Sequence, residues 1–63
     1  MSLNYQKQYY KRLLSDFKLA KSDEEKDELR RFMSSTEEYI RCQFGAAEVN
    51  KLREESGLEP YRM

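Results

Sequence analysis

Sixty-three residues allow one domain, and a folded monomer of that size buries only about 60% of the surface its unfolded chain exposes, so its core needs help. A single cysteine, Cys42, excludes an internal disulfide, and with no histidine in the chain there is no structural zinc set. Twelve basic and twelve acidic side chains cancel, which removes any overall field that would draw the protein to nucleic acid or an anionic membrane. What remains for stability is helix packing, with or without a partner.

Residues 4–21 form the first predicted helix. Tyr9, Tyr10, Leu13, Leu14, Phe17 and Ala20 recur at helical intervals and fall within an arc of about 140°, with Tyr5 just outside it. Ser2 or Asn4 caps the start. Ser22 followed by Glu25 has the spacing of a capping box, and the acidic residues after it suit the positive end of a helix dipole. A second helix is therefore expected over 23–44, antiparallel to the first because the connection is so short.

That second segment carries Leu29, Phe32, Met33, Thr36, Tyr39, Ile40, Phe44 and Ala47 on a similarly wide arc. Ser35 and Glu38 have the spacing of another capping box, which would break the helix. Continuity is favoured, because the apolar phase is the same on both sides of Ser34 and Ser35. At Gly45 the phase changes, so a bend and a short third helix over 46–56 are expected. The alternative is one unbroken helix of about 50 Å, which needs a partner along much of its length. Gly57 and Pro60 are stop signals, Leu58 can pack back on Leu52, and residues 59–63 read as a frayed or loosely docked tail.

The fold class is thus all-α: an antiparallel helical hairpin plus a short third helix. Two arcs of 140° ask for more than one neighbour each, which favours two hairpins pairing as a homodimeric four-helix bundle over a compact monomer. Residues 1–21 carry five basic and one acidic side chain, residues 22–38 three basic and seven acidic. A basic first helix lying against an acidic second one follows, and the pattern disfavours pairing the first helix with itself.

Chemistry finds little to work with. The carboxylates at 23–28 are explained by a helix start, the usual nucleophile–histidine arrangements lack their histidine, and Gly45 and Gly57 form no phosphate loop. No catalytic, metal-binding or cofactor-binding residue is expected, and no small-molecule substrate. The chain has the size and helical class of the small phosphatases that act on response regulators, but their Ser-Gln-x-Leu-Asp signature is not in it. Cys42 reads as a small, semi-buried hydrophobe at the edge of the second stripe.

The expected function is that of a small cytoplasmic interaction module, dimeric, acting by binding a larger, unidentified protein. Neither a membrane span nor a signal peptide is read in the sequence. Tyr5, off the main arc, and Tyr61, beyond Pro60, are the candidate anchors, since tyrosine supplies large contact area at low entropic cost. The alternative is a nucleic-acid-binding regulator in which Lys7, Lys11 and Arg12 track phosphates while Tyr5 and its neighbours stack on bases.

Overall fold

The computed structural model describes residues 2–61. Three helices follow one another: α1 (Leu3–Leu19), α2 (Asp23–Phe44) and α3 (Ala46–Glu55). No strand occurs among the described residues, and no helix there is long and apolar enough to cross a membrane.

Each boundary has a local cause. Ser2 caps α1, its hydroxyl accepting from the Tyr5 amide at 3.2 Å. The helix stops two residues short of the expected Lys21: Ala20 is already extended, at φ −66° and ψ 136°. The early exit lets the chain reverse into Ser22, which is itself extended and accepts from the Glu25 amide at 3.2 Å. α2 then runs unbroken through Ser34 and Ser35. In that stretch Thr36 turns its hydroxyl back onto the Phe32 carbonyl at 2.9 Å, so it needs no break in the backbone ladder.

Gly45 is where α2 ends and α3 begins. Its φ of +98° and ψ of 160° lie in a region essentially reserved for glycine, and there the chain folds back on itself. α3 closes with a Schellman motif: the Leu58 amide donates to the Arg53 carbonyl at 2.8 Å and the Gly57 amide to Glu54 at 3.1 Å. Gly57 supplies the left-handed residue, at φ +78°. The motif returns Leu58 to the core.

α2 packs against both α1 and α3. The α1–α2 register is marked by Tyr10 bonding to Glu37 and by Arg30 lying 5.5 Å over the Phe17 ring, which makes the pair antiparallel. Tyr10, Ile40, Val49 and Leu52 form the core, with Leu3, Met33 and Leu58 packed around it. Leu13 and Leu14 are buried as well. The α1 lysines make their ion pairs with α3, not with the acidic face of α2: Lys7 reaches Glu48 (3.6 Å) and Glu55 (3.9 Å), and Lys11 reaches Glu55 (3.7 Å). Register explains this: with Tyr10 opposite Glu37 and Phe17 opposite Arg30, Lys7 and Lys11 lie at the other end of the hairpin from the exposed acids at 23–28.

The tail also departs from the sequence reading. Glu59 to Tyr61 are tied down by side chains of α3, whereas residues 62–63 lie outside the described residues. Space is open around a Cβ built on either glycine, so only backbone strain opposes substitution. Gly45→Ala should therefore cost about 1–3 kcal/mol and Gly57→Ala about 1–2 kcal/mol in urea unfolding. A neutral Gly45→Ala would show that α2 and α3 are not separated by this backbone conformation.

Candidate functional site

Two groups of side chains stand out: a buried polar cluster between the helices and an uncovered aromatic face on the hairpin. The first starts from Glu37, four residues after Met33 and three before Ile40, hence on the buried arc of α2. It is only 8% exposed. A carboxylate in such a place needs partners for both oxygens. One oxygen accepts from the Tyr10 hydroxyl at 2.5 Å and from the Arg53 guanidinium at 2.8 Å. The other accepts from the Tyr61 hydroxyl at 2.5 Å. Arg53 also donates to the Tyr61 hydroxyl at 3.1 Å and lies 4.1 Å over that ring.

Burial, and then the Glu37 carboxylate, push the Tyr10 hydroxyl well above the ordinary tyrosine range. Tyr61 is raised too, first by its bond to Glu37 and then by burial. On Arg53 burial acts to lower the pKa, but the bond and the charge of Glu37 outweigh it and hold the guanidinium above its usual value. These shifts describe a satisfied cluster. Two phenols and a guanidinium converge on one carboxylate, and the arrangement holds α1, α2, α3 and the tail together.

The second group follows from helical geometry. Lys11, one residue after Tyr10, reaches α3, so Tyr9, one residue before it, lies on the opposite flank of α1 together with Tyr5. On α2, Arg41 lines the cavity toward α3, so Tyr39 and Phe32 lie on the flank turned away. The two flanks adjoin, since Asp16 of α1 shares a surface hollow with Leu29 and Phe32 of α2. Tyr5, Tyr9, Phe32 and Tyr39 are 57%, 40%, 45% and 39% exposed, four aromatic rings on the side of the hairpin that α3 does not cover.

The residues singled out from sequence fare differently. Tyr5 is exposed on this face. Tyr61 has an exposed ring, but its hydroxyl and backbone are engaged within the chain. Lys7, Lys11 and Arg12 do not form one patch with Tyr5: the two lysines sit on the α3 flank in ion pairs, and Arg12 falls on the other side. Cys42 is exposed, contrary to its expected semi-burial, with its Sγ 3.6 Å from a Glu38 carboxylate oxygen. Among the described residues no group of three or more His, Cys, Asp or Glu side chains is placed to hold a metal ion.

Glu37 and Arg53 were missed in the sequence. The available signal was a core tyrosine, Tyr10, whose hydroxyl needs a buried partner, and an acidic residue in phase with the apolar stripe. Comparisons of the chain with protein-family models, with curated proteins and with solved structures give no match.

Replacing Tyr10 by Phe removes a donor to a buried carboxylate and should cost about 1.5–3 kcal/mol in urea unfolding. The raised phenols also set the sign of the alkaline response. Because the folded state keeps Tyr10 and Tyr61 protonated after the unfolded chain would ionise them, their contribution is intact below about pH 10 and is lost above it. The melting temperature should fall from about pH 10 upward, and less steeply in Tyr10→Phe. Equal slopes for the two proteins would refute the assignment.

Proposed function

We propose that the chain is a non-enzymatic interaction module whose hairpin pairs with a second copy, and that the dimer acts by binding a larger protein. The observation that carries this reading is the aromatic face of Tyr5, Tyr9, Phe32 and Tyr39. Four exposed aromatic rings on one side of the hairpin are the kind of apolar surface that marks an interaction site on a small protein. Polar side chains, Asp16, Glu25 and Glu28, border its far end, as the rim of an interface requires.

A second hairpin suits this face better than a single docked helix. Both α1 and α2 present rings to it, so an occupant must span two helices, and a copy of the same hairpin does so under two-fold symmetry. A stable interface takes about 800 Å² from each partner. That is roughly one sixth of this chain's 4860 Å² surface. A hairpin face about 26 Å long and two helices wide is of that order. In such a bundle α3 stays on the outside of each hairpin, leaving its surface and the tail for the larger partner. The nucleic-acid alternative gains no support, since Lys7 and Lys11 are already matched by Glu48 and Glu55.

Light scattering after gel filtration, at tens of micromolar chain, should give the mass of two copies. Phe32→Glu replaces one of the four rings with a charge and should give the mass of one copy with its helical circular dichroism retained. A single-chain mass for the natural sequence would remove the four-helix bundle from consideration.

A further inference from the structure

The way Glu59 to Tyr61 are held is unusual for a tail. Their contacts are those with which a protein grips a peptide. The Asn50 side chain reads one residue at both ends, accepting from the Tyr61 amide at 2.8 Å and donating to the Tyr61 carbonyl at 3.1 Å. Arg53 donates to the Glu59 carbonyl at 2.6 Å. All three bonds go to backbone atoms and carry no preference for the side chains of the segment.

Selectivity enters at two positions. Proline at the middle position has no amide hydrogen to satisfy and keeps both itself and the residue before it extended. Tyrosine at the last position puts its ring under the Arg53 guanidinium and its hydroxyl on Glu37. Two of the seat's side chains have anchors of their own: Glu37 is held by Tyr10 and Arg53, and Asn50 lies on the same face of α3 as Arg53. Beside the docked Tyr61, which forms part of its wall, a cavity of about 570 Å³ opens between α2 and α3.

We propose that this groove is a peptide-binding site for an extended Pro-Tyr segment of another protein, and that Glu59–Tyr61 is its built-in competitor. The chemistry defines the ligand further. The acceptor for the tyrosine hydroxyl is a carboxylate, so the site takes an unmodified tyrosine, disfavours phenylalanine and repels phosphotyrosine. A tail joined to α3 through Gly57 and Leu58 competes at an effective concentration in the millimolar range, so the groove opens only to a ligand that outbids it or when the tail is weakened. The site is separate from the hairpin face proposed for self-association, and either can fail without the other.

The test uses the full chain carrying Tyr61→Ala and a fluorescent peptide of residues 57–62, Gly-Leu-Glu-Pro-Tyr-Arg, read by anisotropy. Tyr61→Ala should bind the peptide about tenfold or more tightly than the natural sequence does, because its own tail keeps the backbone bonds but loses the ring and hydroxyl contacts with Arg53 and Glu37 and so competes less well. Phenylalanine in place of the peptide tyrosine should weaken binding by roughly tenfold. The phosphotyrosine peptide should not bind, and adding Asn50→Ala should abolish binding. A folded Tyr61→Ala protein that ignores the peptide up to millimolar concentration overturns the proposal, as does equal affinity for the tyrosine and phenylalanine peptides. If Tyr61→Ala does not fold, the isotope-labelled natural chain is titrated with several millimolar unlabelled peptide and the chain's own Tyr61 amide, which leaves Asn50 when the tail is displaced, is followed by NMR. Movement of that signal supports the proposal, and a stationary signal overturns it.

Discussion

Glu37 sits where an aliphatic side chain would ordinarily go, and the rest of the molecule is arranged to make that tolerable. Taking a carboxylate out of water costs several kcal/mol unless charge and hydrogen bonds replace the solvent. Here the replacement comes from every part of the chain: Tyr10 from α1, Arg53 from α3 and Tyr61 from the tail. The cluster is therefore specific in a way that the small apolar core is not. Apolar contacts such as those among Tyr10, Ile40, Val49 and Leu52 are non-directional. Only one orientation brings two phenols and a guanidinium onto the same carboxylate. For a chain with so little apolar surface to bury, a polar contact that rejects alternatives is a reasonable use of a core position.

That contact also decides which surfaces are left over. By drawing α3 to one flank of α2, through Arg53 and the lysine–glutamate pairs with α1, it leaves the other flank of the hairpin bare. The uncovered rings and the occupied groove thus have a common origin. Both α1 and α3 pack on α2, and the uncovered rings and the docked tail lie on different sides of it.

Much of the architecture was legible in the sequence because it is written in local chemistry. Ser22 capping, the phase continuity across Ser34 and Ser35, the change of phase at Gly45 and the Gly57 stop are each decided within a few residues, and all appear in the fold. The width of the apolar arcs announced more surface than three helices cover, and Tyr9, Phe32 and Tyr39 are part of that surplus. What escaped was non-local. The partner of Tyr10 lies 27 residues away and the partner of Tyr61 lies 24 away, and no periodicity encodes either pairing. The lysines of α1 were assigned to the acidic second helix by net charge, yet two carboxylates of α3 at the right height claimed them. The short tail after Leu58 read as loose, because backbone contacts from Asn50 and Arg53 leave no trace in hydropathy.

The two reversals, at Ala20–Ser22 and at Gly45, have a consequence for how quickly the fold is reached. Each joins helices that are consecutive in sequence, so the main packed interfaces close loops of only a few residues and the average contact spans a short stretch of chain. Low contact order of this kind belongs to proteins that fold in microseconds to milliseconds. Most of the search is over once either hairpin has zipped, and neither has to wait for the other. The carboxylate cluster cannot be complete until both have formed. It marks the arrival of the native state, not its nucleus, and its loss on unfolding speeds the exit more than it slows the entry.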